Sequence, residues 1–185
     1  MVQALREIIN SKYYDEVSLR ETLSTFSGPS NDKNFEDVIR FLKNDAINFE
    51  KEDQTRTYLL INDEQWEDGN IQIDGYFSIA LKNMYFNKSI DKSFLYETFG
   101  VTNTNNRVAF LIGQLARNEC SEKGTGKMLL EEALSYIANV SDIIGGRIVY
   151  LDCDRSLQSY YEKNGFSFLQ TKKSNNELIQ MYRII

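Results

Sequence analysis

The order of elements between residues 108 and 153 constrains the fold of this chain more than any other feature of its sequence. Residues 108–116 form a nearly continuous apolar stretch, which predicts a central strand buried on both faces. A glycine loop, residues 122–127, follows it, and residues 147–153 predict another apolar strand. Between them lies a helix whose apolar side is formed by Met128, Leu129, Ala133, Leu134, Ile137 and Val140.

Less regular patterns predict the remaining elements. Apolar side chains at helical spacing predict a short amphipathic helix over residues 2–14 and a longer one over residues 34–49. Residues 17–23 alternate apolar and polar side chains, which predicts a half-buried strand, and residues 28–32 predict the turn after it.

Two antiparallel hairpins are also predicted, one from residues 57–62 and 74–81, the other from residues 166–169 and 178–184. A short helix over residues 156–164 is expected to end at Gly165. Residues 83–106 show no clear period. With 185 residues, no repeat and no long linker, residues 1–185 are expected to form a single domain in which residues 1–16 are a helical N-terminal extension.

The amino-acid composition excludes several kinds of chemistry. The chain contains no histidine, so a Ser-His-Asp or Cys-His mechanism is excluded, and its two cysteines are too few for a zinc site. We therefore expect no metal, and Tyr, Glu, Asp, Lys and water remain as the groups that transfer protons. No apolar stretch approaches the ~20 residues of a membrane span, and no secretory signal is evident, so we expect a cytoplasmic protein with no membrane partner.

The glycine loop has the features of an anion site. Glycines before a helix let the backbone wrap closely around an anion, and the N-terminal amides of the helix supply donors. Lys123 and Lys127 flank Gly124 and Gly126 and add positive charge, so a phosphate or pyrophosphate is the expected ligand. The spacing fits neither a Walker A motif nor a Rossmann motif, since Leu129 stands where the latter needs a third glycine.

Two motifs in this region resemble those of the GNAT superfamily of N-acetyltransferases. The first has Gln or Arg, two residues, Gly, one residue, then Gly or Ala, and residues 121–126 match both glycines, with Ser121 departing at the first position. The second is similar to residues 154–166, which end Tyr-Tyr-Glu-Lys-Asn-Gly-Phe, with Asp154 in place of the usual Asn and Leu157 in place of the usual Ala. The resemblance implies an α+β fold, a central mixed β-sheet flanked by helices.

The resemblance also implies acetyl-CoA as the cofactor, lying where two parallel strands splay apart. Its pantetheine arm would pair with the backbone near Gln114, and its pyrophosphate would reach the glycine loop. A backbone N–H near Leu115 would stabilise the oxyanion, and Tyr161 would be the general acid for the thiolate. The cofactor-binding residues implied in this way are Leu115, Ala116, Arg117, Lys123, Gly124, Thr125, Gly126, Lys127, Met128, Asp154 and Tyr161.

The other interpretation of Tyr161 is a ring that fills the core. No general base is identified, because residues 108–116 contain no carboxylate and Glu119 lies beyond them. An α-amino group with a pKa of ~8 needs less help than a lysine-like amine at ~10.4, which favours an α-amine acceptor.

The N-terminal half is similar to toxin-type GNATs that acetylate aminoacyl-tRNA, through residues 24–28, 35–46 and 56–60 and through residues 112–116 of the central strand. Charged tRNA is therefore one predicted acceptor, although a net charge of −6 opposes a polyanionic partner. A basic surface for tRNA would include Arg107, Arg117, Lys123 and Lys127, and the alternative is that they form a solvated rim and contact the cofactor phosphates. The alternative acceptor is a small amine, a polyamine or a protein N-terminus. The alternative to an enzyme is an inactive GNAT-fold binding module. A second copy of the chain, forming a homodimer, is a further candidate partner.

Overall fold

The structure, a computed structural model, describes residues 1–28, 35–62, 72–101, 105–172 and 178–185. Its strands are Val2–Ala4 (β1), Arg56–Ile61 (β2), Ile73–Tyr85 (β3), Asn106–Arg117 (β4), Ile148–Asp154 (β5), Ser167–Thr171 (β6) and Leu178–Ile184 (β7). Within the described residues they form a seven-stranded mixed sheet in the order β1-β2-β3-β4-β5-β7-β6. The expected mixed sheet with a central strand over residues 108–116 is confirmed.

The helices are Leu5–Ile9 (α1), Glu16–Ser24 (α2), Glu36–Arg40 (α3), Ala46–Lys51 (α4), Lys92–Phe99 (α5), Thr125–Ile144 (α6) and Gln158–Lys163 (α7). A π-helical turn, Phe41–Asp45, joins α3 to α4, and a 3₁₀ turn, Arg155–Leu157, precedes α7. None of the helices in these described ranges is long and apolar enough to cross a membrane.

The chain divides into two compact units. The first is Met1–Ala80 with Gly113–Tyr136, and the second is Leu81–Ile112 with Ile137–Ile185. β3, β4 and α6 each contribute residues to both units. The single domain over residues 1–185 stays a prediction.

In the first unit, β1, β2 and β3 pair antiparallel, with Val2 opposite Leu60 and Arg56 opposite Ile79. This confirms the hairpin predicted from residues 57–62 and 74–81. The predicted helix over residues 2–14 is only partly right, because residues 2–4 form an edge strand on β2 and only residues 5–9 are α-helical. The pairing of a strand with a distant partner is a tertiary effect that local spacing does not report.

The strand predicted over residues 17–23 is wrong, because these residues belong to α2. Asp15 caps this helix by accepting a hydrogen bond from the Ser18 amide at 2.9 Å. Leu19 and Leu23 are buried four positions apart, while Val17 is 65% exposed. The buried spacing is therefore helical, and the alternation is a coincidence of one exposed valine. The helix predicted over residues 34–49 is confirmed in its described part, whereas residues 29–32 of the predicted turn lie outside the described residues.

In the second unit, β4 and β5 pair in parallel through Phe110 with Val149 and Leu111 with Tyr150, and β7 pairs antiparallel with both β5 and β6. The C-terminal hairpin and the helix before Gly165 are thus confirmed. The prediction that β4 is buried on both faces is wrong at Val108, which is 61% exposed. α5 lies in the stretch without a clear period; Asp91 caps it at the Ser93 and Phe94 amides, and Gly100 ends it at φ +66°.

Candidate functional site

The end of β4 carries the residues predicted to pair with an extended ligand. Ala116 is buried, and Leu115 and Arg117 are half-buried. The register of β4 with β5 consists of the pairs at Phe110 and Leu111, and β4 continues to Arg117 beyond those pairs. The backbone of residues 113–117 belongs to the first unit, together with the whole glycine loop.

The glycine loop presents main-chain donors at the start of α6. Gly124 accepts hydrogen bonds from the amides of Lys127 and Met128 at 3.0 and 3.1 Å, and the Thr125 amide reaches Glu122 at 3.3 Å. No acceptor in the described residues receives the amides of Lys123, Gly124 or Gly126. The N-terminal end of a helix of 20 residues also carries partial positive charge, so these three N–H groups are the donors of the predicted anion site.

Gly124 leaves open space at the glycine loop. Gly124 has φ +106°, a conformation that side-chain-bearing residues rarely adopt, and no atom lies within 4 Å of where its Cβ would be. Gly126 is half-buried in the first turn of α6. The space in front of Gly124 is therefore open.

The side chains of the glycine loop fall into two groups. Thr125 is buried, and its hydroxyl donates to the Glu122 carbonyl at 2.8 Å, which tightens the turn into α6. Lys123, Lys127 and Met128 are exposed, and Lys127 lies 3.5 Å from Glu131 in a solvated ion pair. The two lysines thus supply positive charge beside the free amides.

Tyr161 lies in α7, in the second unit, and is 7% exposed. Its ring makes edge-to-face contacts with Tyr160 at 5.1 Å and Phe166 at 5.7 Å between centroids. Burial, and to a smaller extent the neighbouring Cys153 and Tyr160, raises the pKa of Tyr161, so its phenol is protonated at neutral pH. The ring therefore packs in the core, as the alternative interpretation expected. The catalytic role of its hydroxyl stays a prediction.

Cys153 and Asp154 stand at the end of β5. Burial, with the charges of Asp152 and Asp154, raises the pKa of Cys153 to about 12, so this cysteine is a thiol and not a nucleophilic thiolate. Asp154 caps the turn before α7 by accepting from the Ser156 amide at 2.8 Å, and hydrogen bonds from Ser156 lower the pKa of Asp154. A structural role explains its contacts, and cofactor binding by Asp154 stays a prediction.

Asn118 was not identified from the sequence. It follows the last residue of β4, is 5% exposed, and makes hydrogen bonds with Ile73 and Asp74, at the start of β3, and with Ser27. No local signal marks it, because these partners are 44 to 91 residues away along the chain, as their numbers show.

Two cavities of the second unit are not lined by any of the predicted catalytic or cofactor-binding residues. One, of about 760 Å³, lies among Arg107–Phe110 and residues 144–148, and the other, of about 330 Å³, lies beside Tyr150 and Asp152. The predicted residues between Leu115 and Met128 lie in the first unit, and Asp154 and Tyr161 lie in the second.

Comparison with models of protein families finds no match. No curated protein matches the sequence either. Solved structures do match in fold. A structure described as a bacterial toxin has a TM-score of 0.71 and 12% identity, and the match covers 100% of this chain and 91% of the toxin. A tyrosine-to-phenylalanine mutant of KacT has a TM-score of 0.66 and 18% identity, with coverage of 97% and 93%.

AtaT in complex with acetyl-methionyl-tRNAfMet has a TM-score of 0.68 and 16% identity, with coverage of 97% of this chain and 92% of AtaT. At such identities the likeness concerns the fold, and it extends over nearly the whole of both chains. The mixed sheet flanked by helices and the TM-scores of these neighbours show that the chain has the same fold as the KacT and AtaT structures.

Proposed function

We propose that this chain is an N-acetyltransferase that transfers the acetyl group of acetyl-CoA to the α-amino group of aminoacyl-tRNA. The observation that carries the proposal is the set of free amides at Lys123, Gly124 and Gly126, at the start of α6 and shortly after β4. These amides support the proposal, because the reaction requires a place for the diphosphate of acetyl-CoA.

The residues present fit acetyl-CoA. Its diphosphate matches the free amides of the glycine loop and the charges of Lys123 and Lys127. Its extended amide-bearing arm matches the backbone of residues 115–117, which lies beyond the register of β4 with β5. Bound acetyl-CoA would supply a thioester whose carbonyl carbon is open to attack by an amine. AtaT has been crystallised with acetyl-CoA, which supports the same ligand here.

The chain's own groups would then orient and polarise the reactants. The backbone N–H of Leu115 would donate a hydrogen bond to the acyl oxygen of the thioester. Tyr161, kept protonated by its raised pKa, would donate a hydrogen bond to the sulfur. Full proton transfer is unfavourable, since a thiol of pKa ~8.5 is a stronger acid than this phenol, so hydrogen bonding is its proposed role.

The acceptor is the finer part of the proposal. AtaT was crystallised with acetyl-methionyl-tRNAfMet, and an α-amine with a pKa of ~8 suits a strand that contains no carboxylate between Val108 and Ala116. The net charge of −6 favours a different acceptor, a small cationic amine or polyamine, which is the second candidate.

Transfer of label from radiolabelled acetyl-CoA separates these acceptors. Charged tRNA, uncharged tRNA, peptides and spermidine are offered in parallel at two ionic strengths, because phosphate contacts weaken steeply with salt. Label on charged tRNA, declining with salt, is the expected result. Efficient labelling of spermidine with none on charged tRNA would contradict aminoacyl-tRNA as the acceptor. If calorimetry detects no binding of acetyl-CoA, the alternative of an inactive GNAT-fold binding module would be favoured. The cytoplasmic location and the homodimer stay predictions.

A further inference from the structure

Asn118 stands at the junction between β4 and the glycine loop. An amide side chain that is 5% exposed must find hydrogen-bond partners, because burying it without them destabilises the folded protein. Its backbone and side chain together contact three separate segments of the first unit, so its position is defined from several directions.

Two of these bonds attach the end of β4 to the start of β3. The Asn118 amide donates to the Asp74 carbonyl at 2.7 Å, and its Nδ2 donates to the Ile73 carbonyl at 2.9 Å. Beside them, a Cβ on Gly75 would lie 2.9 Å from the Ala116 carbonyl oxygen and 3.3 Å from the Cα of Arg117. The backbones approach so closely here that glycine is required, which fixes the end of β4 firmly.

The acceptor atoms of Asn118 hold the chain that leads into the glycine loop. Its backbone carbonyl accepts from the Ser121 hydroxyl at 2.7 Å and from the Ser121 amide at 3.2 Å, and its Oδ1 accepts from the Cys120 amide at 3.4 Å. The orientation of the side-chain amide follows from its partners, because the Ile73 carbonyl can only accept and the Cys120 amide can only donate.

The third segment is the one that follows α2. Ser27 donates through its hydroxyl to Oδ1 of Asn118 at 3.2 Å, and the Ser27 carbonyl accepts from the Glu119 amide at 2.9 Å. Only asparagine among residues of this size offers both a donor for Ile73 and an acceptor for Ser27 and Cys120.

We infer that Asn118 is a positioning residue that orients the free amides of the glycine loop and connects them to the Ser27 segment. It touches no ligand itself and acts through the main chain of residues 119–124. As a consequence, ligand binding at the loop and the order of the Ser27 segment are coupled. The inference rests on the proposed function only for the identity of the ligand.

Asn118→Asp tests the inference, because aspartate keeps the acceptor and loses the donor to Ile73. Gln170→Leu is the matched control: Gln170 is a buried amide of the second unit that donates to Tyr85 at 2.6 Å and Gln180 at 2.7 Å and accepts from the Asn87 amide at 2.7 Å. Both variants are expected to lower the melting temperature by a few degrees. Only Asn118→Asp should raise the Kd for acetyl-CoA, by about tenfold.

Amide hydrogen exchange in the ligand-free protein supplies a readout that does not depend on the cofactor. We expect Asn118→Asp to accelerate exchange at Glu119 and Ser121 by tenfold or more, and Gln170→Leu to leave these amides unchanged. Ser27→Ala is a milder variant, because it removes the hydroxyl that donates to Oδ1 of Asn118 and keeps the carbonyl that accepts from Glu119. By loosening the hold on Ser27 it should accelerate exchange at Glu119 alone. It keeps the test decisive if Asn118→Asp does not fold.

Unchanged exchange and unchanged affinity in Asn118→Asp, with the same loss of stability as in Gln170→Leu, would make Asn118 an ordinary structural residue and overturn the inference. Accelerated exchange in a protein whose wild type does not bind acetyl-CoA would instead contradict the proposed function and support the positioning role.

Discussion

The glycine loop and α7 would serve the same reaction with different kinds of atoms. The loop offers backbone N–H groups at Lys123, Gly124 and Gly126, whose direction is set by local turns and by Asn118. α7 offers one phenol hydroxyl, on a ring held by Tyr160 and Phe166. The loop's donors are main-chain atoms that every residue type except proline possesses, whereas the helix's donor belongs to one side chain.

This difference separates the expected effects of substitution. In the loop, a substitution acts when it changes the backbone or fills the space before it, so binding should suffer. In α7, removal of one oxygen leaves the packing intact, so turnover should suffer without binding. Comparing binding with turnover in each region therefore tests both assignments together.

Gly126→Val is expected to have the largest effect. A β-branched side chain on the first turn of α6 restricts the backbone and occupies space that the diphosphate needs. Acetyl-CoA at about 100 times its Kd should stabilise the wild type by ~2.7 kcal/mol, roughly 5–10 °C in melting temperature, and this shift should vanish in the variant. Ser135→Val, an exposed position of the same helix, is the control and should keep the full shift. A folded Gly126→Val with wild-type affinity would show that the anion site is misplaced.

Tyr161→Phe should lower kcat by about 10² while leaving the Kd for acetyl-CoA within twofold. The ring contacts with Tyr160 and Phe166 persist, and only the hydroxyl is lost. Tyr160→Phe removes a hydroxyl from the adjacent ring and should change kcat by less than about threefold if the effect belongs to one group. Single-turnover kinetics checks both variants, and equal rates for all three proteins would assign Tyr161 to packing alone.

The two regions were predictable from the sequence because their signals are local. The glycines of the loop, the apolar side of α6 and the Tyr-Tyr-Glu-Lys-Asn-Gly-Phe run of α7 all lie within short windows, and the structure places the strand, helix and turn around them as expected. α5 also had a local signal, Asp91 at its start and Gly100 at its end, which a search for caps would have found.

β1 and the contacts of Asn118 could not be predicted, because the partners of these residues are distant in the sequence. β1 is a strand because Val2 pairs with Leu60. Asn118 connects separate segments because its side chain forms hydrogen bonds with Ser27 and Ile73. No window of the sequence contains both members of these pairs. α2 differs from these two cases, because its signals are local: the alternation at Val17 and Leu19 favours a strand, whereas the cap at Asp15 favours a helix.

Gly124→Ala sharpens the view of the loop as a main-chain site. Nothing lies within 4 Å of the added Cβ, so the variant tests backbone conformation alone, at φ +106°. Strain of about 1–3 kcal/mol should lower the melting temperature and turn the neighbouring amides, weakening acetyl-CoA binding by roughly tenfold. Gly100→Ala is the control, because it also has positive φ, +66°, and open space, but lies at the end of α5. Calorimetry should show lost affinity only for Gly124→Ala, and equal affinity of both variants would contradict main-chain recognition.

Lys123→Ala should have the smallest effect. The ammonium group is exposed, and exposed charge interactions are typically worth 0.2–1 kcal/mol, so we expect the Kd for acetyl-CoA to rise about two- to fivefold at low salt. Because a Debye length of ~10 Å at 0.1 M salt shrinks to ~3 Å at 1 M, the difference from the wild type should disappear at high salt. Lys88→Ala, an exposed lysine of the second unit, should show no difference at either salt. Titration of both variants at two ionic strengths checks this. A loss of affinity for acetyl-CoA in Lys123→Ala that exceeds tenfold and persists at high salt would mean that a side chain, and not the backbone of the glycine loop, binds most of the phosphate charge. The loop would then act through a side chain, as Tyr161 does, and the two regions would no longer differ in this respect.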